Sequence, residues 1–551
     1  MTIKNNKIIL NLIFVILIIV LCFLVTPVSF QNDTFYSIKI GETISNNGID
    51  MQDHYSWHEN LSYAYPHWLF DFITYKFYAL NGFFGVYLMT CMFACLLGLT
   101  LFFVNKKLCK NDFVSFLIAV FIMFLIEPFI AARSQIITYT LFLLTIYFIE
   151  KFIQNKKVYY AIVLFIISVL IANVHIAVWP FFFVLFLPHI AEEILFLIGE
   201  HNVNSMSEIN TYKKELKKLK IENKELDKIK KYEEKIIELE DEKEKKIKER
   251  NEKISNPYKI LMQDNKNVKW LVLIMIMCLL SAFITPLGAK TVFTYLTNTI
   301  SGDTMHYISE HQPTIIISCI NLLIMLVAFI SLLTFSKTKI RLSDLFLFSG
   351  LTLLALYSNR HIALLLILGS YIINTLLSKV TNVTEEKTQE VAQALITHPI
   401  VLIYMSLFTI GLGFSVLQTH FPLQFVKNEL YPVEATNYIK NNIDTTNMRL
   451  FNEYNYGSYL LFNDIPVFID SRADLYTCEF NPNCTVFDDS TKIESGKVYC
   501  EEIFEKYNIT HILIPKNEPL YNYISHSGTN IFEELYSDEN FAFFQRNSTT
   551  N

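Results

Sequence analysis

Uninterrupted apolar runs close to twenty residues long recur along this chain, beginning with IILNLIFVILIIVLCFLV at residues 8–25. A hydrocarbon core ~30 Å thick asks for about that length of helix. Within lipid every backbone N–H and C=O must be satisfied inside the segment, which leaves helices for runs of this length. Candidate spans fall at 8–30, 80–104, 112–132, 136–153, 158–174, 177–198, 268–287, 314–336, 343–357, 361–378 and 398–418. Two of these regions carry internal breaks, NVH at 173–175 and SNRH at 358–361. The chain reads as a polytopic α-helical membrane protein of about 11 transmembrane helices. At 52% hydrophobic residues, with 46 Phe, it holds more apolar surface than an ordinary soluble domain can hide. The first run is too long for a signal-peptide core, so it is expected to be retained as a span.

Lysines and arginines in short connections set the expected orientation. Lys4 and Lys7 precede the first run, and NKKLCK (105–110), EKFIQNKK (150–157) and SKTKIR (336–341) follow the second, fourth and eighth. With eleven spans all of them share one side, read as the cytoplasm. The expected location is therefore a bacterial plasma membrane, with the N-terminus cytoplasmic and everything after 419 extracytoplasmic. Four regions follow: 1–199, an N-terminal bundle with a first outer loop at 31–79; 200–265, a charged insertion; 266–419, a second bundle; and 420–551, an extracytoplasmic α/β domain.

The insertion mixes lysine and glutamate densely, and Leu219, Leu226, Ile229 and Ile236 form a thin apolar seam. That pattern predicts a solvated cytoplasmic helix or helical coiled coil, with a platform for a cytoplasmic partner as the alternative reading. After 420, PVEATNYIKNNI (432–443) reads as an amphipathic helix, RLFNEY and VFIDSRADLY as short strands, EIFEKYNITHILIPK as helix, turn and buried strand, and NFAFFQRN as a closing strand. Cys478 and Cys484 are the nearest pair for a disulfide on that side, and no cysteine spacing matches a zinc site.

The chemistry-bearing residues collect at the ends of spans on the predicted outer side. Asp33 opens the first loop, Arg133 and Gln135 follow the third span, and Asn173 and His175 mark a break. Glu310 and His311 lie in HYISEHQP, and Arg360 and His361 in SNRHIALLL. Ionisable groups at membrane depth persist when they face a cavity or one another, so these predict one polar pocket. Arg133 and Arg360 could grip a lipid-linked phosphate in bidentate fashion, with His175 and His361 beside them. Asp33 or Glu310 could serve as general base toward an acceptor hydroxyl, or hold a divalent cation, Mg or Mn. No glycine-rich phosphate loop, nucleophile elbow or HExxH occurs, and nothing points to nucleic acid.

These residues resemble integral-membrane glycosyltransferases of the GT-C fold, nearest to a bacterial group similar to dolichyl-phosphate-mannose:protein mannosyltransferases. The resemblance rests on Asp33 with the following IGETISNNG and HWLFD, on AARSQIITYTLF, IANVHIAVWP, ITPLGAKTVFTYL with ISEHQP, and NRHIALLLI. It rests most specifically on RLFNEYNYGSYLLFNDIPVFIDSRADLY at 449–476. It spans nearly the whole chain outside 200–265. The resemblance implies that Asp33 holds the position of a catalytic or metal-binding acid. It further implies inverting sugar transfer from a polyprenyl-phosphate donor to a glycan or protein acceptor. The chain departs from the group's pattern in four places: no second acid completes a DxD at Asp33, Ser134 stands for Pro, and Ser458 and Ser471 each stand for Gly. Two other readings compete, a GT-C-like envelope-assembly protein without activity and a lipid-linked glycan transporter.

Overall fold

A computed structural model describes residues 3–199, 209, 211–217, 226–263, 265, 267–301, 308–336, 338–381, 396–526 and 531–547. Helices dominate: α1 (Ile3–Val25), α2 (Asn32–Asn47), α3 (Trp68–Cys109), α4 (Asp112–Leu125), α5 (Gln135–Asn155), α6 (Val158–Val174), α7 (Trp179–Val184) and α8 (Leu187–Gly199). They are followed by α9 (Leu226–Tyr258), α10 (Val268–Cys278), α11 (Ala289–Ser301), α12 (Ile320–Phe335), α13 (Leu342–Tyr357), α14 (Ile362–Thr381) and α15 (Pro399–Thr419). Six segments are long and apolar enough to cross a membrane: Ile8–Val25, Trp68–Cys109, Gln135–Asn155, Ile176–Ile198, Asn359–Val380 and Pro399–Thr419. Five further apolar helices have 10–17 residues. Each of these segments overlaps one of the runs read from sequence, and both internal breaks are real. The backbone leaves the α-helix at His175 and passes through a 3₁₀ turn at Ile176–Val178, and a second 3₁₀ turn covers Asn359–His361.

The first long connection differs from a plain loop. It contains α2, and α3 begins at Trp68, well before the apolar run at 80. Asn81 and Gly82 interrupt α3, with Gly82 at φ +56, a conformation glycine adopts without strain. The stretch Trp68–Leu80 is thus a separate helical piece that packs under α2. The contact is close because Gly41 lacks a side chain: a Cβ there would sit 2.0 Å from the Asp71 carbonyl oxygen.

At the same end of the bundle lie helices α16 (Val433–Asn442) and α17 (Tyr454–Phe462) and a four-stranded sheet. Its strands are β1 (Leu450–Phe451), β2 (His511–Pro515), β3 (Phe532–Ser537) and β4 (Phe541–Arg546), in the order β1-β2-β4-β3. Strands β1 and β2 are parallel; the other pairs are antiparallel. VFIDSRADLY is not a strand. The Asn452 side chain takes the place of a neighbouring strand, donating to the Ile469 carbonyl (2.7 Å) and accepting from the Phe468 N–H (2.9 Å). One side-chain amide thereby satisfies backbone that a ladder would otherwise serve. The segment then turns through a 3₁₀ helix at Ala473–Tyr476.

This region is not independent of the first connection. Trp57 Nε1 donates to the Leu450 carbonyl (2.9 Å), and the Ser62 N–H donates to the Asn481 side chain (2.7 Å). Arg472 is buried between Asp53 and Asp470, 2.7 Å from each. Residues 48–66 thus complete the core of the C-terminal region. Cys478 and Cys484, the nearest pair for a disulfide in that region, are not joined.

The far end of the bundle carries Lys106, Lys107, Lys151, Lys156 and Lys157 at the C-terminal ends of α3 and α5. There Arg341 bridges Glu150 (3.0 Å through Nη1) and Asp344 (2.8 Å), at a two-residue parallel pairing of Ile260–Leu261 with Ile340–Arg341. Between α8 and this pairing run α9 and the helical residues 211–217, which touch through Lys213–Glu240 (2.5 Å) and Tyr212–Tyr232. Of the predicted seam, Ile236 is buried, whereas Leu219 lies outside the described residues.

Candidate active site

The polar residues singled out in sequence come from five separate connections, and two hydrogen-bonded seams tie four of these together at one end of the bundle. The first seam ties α2 to the turn before α5. Thr34 Oγ1 donates to the Ala132 carbonyl (3.3 Å), and Arg133 follows directly. The second ties residues 308–314 to the turn before α14. Ser358 Oγ donates to the Glu310 carbonyl (3.0 Å), the Asn359 N–H to the Gln312 carbonyl (3.1 Å), and Thr314 Oγ1 to the Asn359 side chain (2.8 Å).

Arg133 stands where the seams meet. Its Nη2 is 2.7 Å from Asp33 and its Nη1 2.5 Å from Glu310. Asp33 is therefore not the N-cap of α2. It sits in the first helical turn, behind Gln31 at the cap, and uses its carboxylate across the cleft. Burial raises the Asp33 carboxyl above the usual range, more strongly than Arg133 and the Ser471 hydroxyl lower it. Burial also opposes ionisation of Glu310, but there Arg133 prevails and the carboxyl lies below its usual value. Of the two acids, Asp33 is the one held closer to taking a proton.

Arg360 is placed differently. Its Nη1 lies 2.7 Å from His311 Nε2, and among the described residues no carboxylate closes an ion pair with it. Burial, then the Arg360 charge, hold His311 down to about 4, so it meets the guanidinium as a neutral acceptor. His175 is buried, its ring edge-on to His67 with centroids 4.7 Å apart. His361 Nδ1 is buried without a hydrogen-bond partner. Asn173 has a structural task, accepting from Trp68 Nε1 (3.1 Å) and donating to the Ile284 carbonyl (2.9 Å).

Between Asp33 and Arg133 opens a small cleft of about 30 Å³, also lined by Tyr36, Ser37, His67 and Gln135. That is room for a water or two, far below the ~300–1,000 Å³ of a site for a whole drug-sized ligand. Tyr36, Ser37 and His67 escaped the sequence reading. Tyr36 and Ser37 fall three and four positions beyond Asp33 on α2, each about one turn away on the same face, which a helical reading of that face could have offered. His67 carried no separate signal: His54 and His58 are equally prominent in sequence, yet they bind Asp50 (2.6 Å) and the Phe468 carbonyl (2.8 Å) away from the cleft. His67 is held down to about 3 by burial and then by Arg133 and Arg360. A larger apolar groove begins at the next residue, lined by Trp68, Leu69, Leu170, Ile284 and Pro286.

The donor set does not suit a divalent cation. Asp33 and Glu310 both face a guanidinium, which would repel a metal ion, and no group of three or more His, Cys, Asp or Glu side chains converges among the described residues. Buried polar atoms without hydrogen-bond partners concentrate around the cleft: Asn32 Oδ1, Gln135 Oε1, His175 Nδ1, His311 Nδ1 and both oxygens of Asp71.

No family model and no curated protein matches the chain. Among solved structures, the chain is similar to ArnT from Cupriavidus metallidurans, a GT-C glycosyltransferase crystallised with undecaprenyl phosphate. The alignment covers 98% of both chains at a TM-score of 0.53 and 8% sequence identity. With its apolar helices, the likeness identifies the chain as an integral membrane protein of the GT-C fold.

Proposed function

We propose that the chain is a glycosyltransferase that moves a sugar from a polyprenyl-phosphate donor to an acceptor hydroxyl at the outer membrane face, inverting the anomeric carbon. One observation carries the reading. A cleft at the bundle end holds an acid with a raised pKa beside Arg133, while a second guanidinium, Arg360, rests on a neutral histidine and is available to an anion. Asp33 takes the proton of the acceptor hydroxyl as that oxygen attacks the anomeric carbon. The bond from that carbon to the phosphate oxygen breaks, and its electron pair leaves on the polyprenyl phosphate. Arg360 stabilises that charge, as fixed cations do best in a site shielded from water. Glu310 shares Arg133 with Asp33 and orients it. The apolar groove beginning at Trp68 supports a lipid-linked donor, since the lipid chain can leave the cleft along it. The unsatisfied polar atoms around the cleft support a polar ligand. Lysines gathered at the opposite end of the bundle favour this end as the outer one.

No step is routed through a metal ion. The acceptor is a glycan or protein hydroxyl. The test is transfer by the full-length protein in vesicles supplied with polyprenyl-phosphate sugars. Asp33→Asn should lower kcat by ~10²-fold or more, the usual scale for a general base. Full transfer by that variant would remove Asp33 from the role, and no transfer by the native protein across several donors would overturn the reading.

A further inference from the structure

At the end of the bundle away from Asp33, two helix ends are pinned together at the membrane boundary. Helix α5 stops at Asn155, and Lys156 takes a left-handed conformation (φ +48) that turns the chain into α6. Helix α10 starts beside it. The Asn267 side chain donates to the Ile153 carbonyl in the last turn of α5 (2.7 Å), satisfying a carbonyl the helix end leaves open. Lys156 then lies over the ring of Trp270, its Nζ 4.4 Å from the ring centroid, and Lys269 approaches the same ring at 5.9 Å. Both are cation–π contacts. Lys157 follows Lys156 in the chain and is exposed.

Other lysines at this end have protein partners. Lys106 pairs with Asp112 (3.2 Å), Lys259 donates to the Leu333 and Ser336 carbonyls (2.8 and 2.7 Å), and Lys379 donates to the Lys339 carbonyl (2.9 Å). Among the described residues no carboxylate pairs with Lys156, Lys157 or Lys269. Trp270 is 40% exposed, so part of its ring is open to whatever surrounds the bundle. Beyond the lysines the surface turns apolar. Val158, Tyr159 and Ile162 on α6 and Leu273 and Ile276 on α10 are exposed, and the Ser168 hydroxyl, donating to the Cys278 carbonyl (3.3 Å), joins the two helices.

We propose that Lys156, Lys157, Lys269 and Trp270 form a binding site for an anionic phospholipid of the cytoplasmic leaflet, the side on which such lysines gather. The phosphodiester lies against the ammonium groups. The Trp270 ring sits at head-group level, where amphipathic rings reside in a bilayer, and the acyl chains run along the exposed faces of α6 and α10. Charge selects the lipid. A zwitterionic lipid brings an ammonium of its own, which three uncompensated lysines repel, whereas each lysine near an anionic surface favours contact by about fivefold. Free lysines snorkel to the boundary wherever they stand; here Asn267 and the Trp270 ring hold two of them in one place. Nothing in this site depends on the transferase reading.

Brominated acyl chains quench a tryptophan that they touch. The chain has four tryptophans, so the Trp270 signal is the difference between the full-length protein and its Trp270→Phe variant. Both are reconstituted in phosphatidylcholine vesicles containing brominated phosphatidylglycerol or brominated phosphatidylcholine. The phosphatidylglycerol should quench Trp270 at a mole fraction about tenfold lower than the phosphatidylcholine. Lys156→Gln and Lys269→Gln should each cut that preference about fivefold, the three lysine substitutions together should bring it to about one, and Lys156→Arg should keep it. Equal quenching by the two lipids in the native protein would overturn the proposal, whatever the variants do. So would a preference that survives loss of all three lysines. Quenching by neither lipid would mean that protein, such as a second copy of the chain, covers the ring, and would overturn it too. Millimolar inorganic phosphate added to the detergent-solubilised protein should leave Trp270 emission unchanged; a saturable change would make the ligand a free anion and not a lipid.

Discussion

At the scale of single residues, the two arginines keep different company. Arg133 is paired with carboxylates, whereas Arg360 meets a neutral histidine, and in the proposed function it is Arg360 that receives the anion. Arg360→Ala should raise the KM for a polyprenyl-phosphate sugar at least tenfold and lower kcat. Arg360→Lys should recover only part of the loss, because an ammonium cannot form the paired bonds of a guanidinium; steady-state kinetics on both variants checks this. The pH dependence follows from Asp33. A base must be ionised to work, and burial holds this carboxyl above its usual range, so transfer should fall on acidification earlier than for an exposed aspartate. A pH–rate profile whose acidic limb lies at the ordinary aspartate value would contradict this. Asp33, Arg133, Glu310 and Arg360 were legible in sequence because charge beside an apolar run is costly and needs a reason. Ser37, His67 and Ser471 were not. A hydroxyl or a loop histidine costs little where it stands, and only the fold reveals what it faces.

At the scale of elements, the helices were legible because lipid leaves the backbone one way to satisfy itself. What periodicity could not reveal was the helical start of α3 at Trp68, whose polar residues Asp71, Thr74 and Lys76 hide it from a hydropathy reading. VFIDSRADLY alternates like a strand, but its hydrogen bonds go to Asn452 and its polar side chains to a buried ion cluster. The packing of α2 on α3 offers a direct check. Gly41→Ala would drive a methyl group into the Asp71 carbonyl. The two helices must part, at a cost of about 1–3 kcal/mol or more. Because α2 carries Asp33, transfer should fall along with thermal stability, whereas Asp33→Asn should reduce transfer alone. Thermal unfolding and transfer assays on both variants separate the two effects.

At the scale of the whole molecule, Arg472 joins the first connection to the C-terminal region. Asp53→Ala leaves the buried guanidinium with one carboxylate, and removing a partner from such a pair costs about 3–5 kcal/mol; a large drop in Tm is expected. His58, in the same interface, donates to the Phe468 carbonyl and is held down to about 4, chiefly by burial. Its folded pKa lies below the unfolded value near 6.5. The unfolded chain therefore binds the proton first, and this contribution to stability is lost as pH falls from about 6.5 to 4. Tm measured across that window should fall less steeply in His58→Asn than in the native protein. Sequence marked the apolar helices of the bundle but not this junction, because residues 48–66 and 449–481 meet across four hundred positions with no periodic pattern to announce it.

Helix α5 joins two ionic clusters, Arg133 with its acids just before its first residue and Glu150 with Arg341 in its final turns. At 1.5 Å per residue they stand roughly 20–25 Å apart. A typical hydrocarbon layer is ~30 Å thick, and neither cluster can sink into it cheaply. The α5 neighbourhood thus acts as a calliper that suits a thin or locally pinched bilayer, and lipids must yield where it stands. Transfer in vesicles should decline as acyl chains lengthen from fourteen to twenty-two carbons, in step with the work of drawing the two membrane faces together around this one helix.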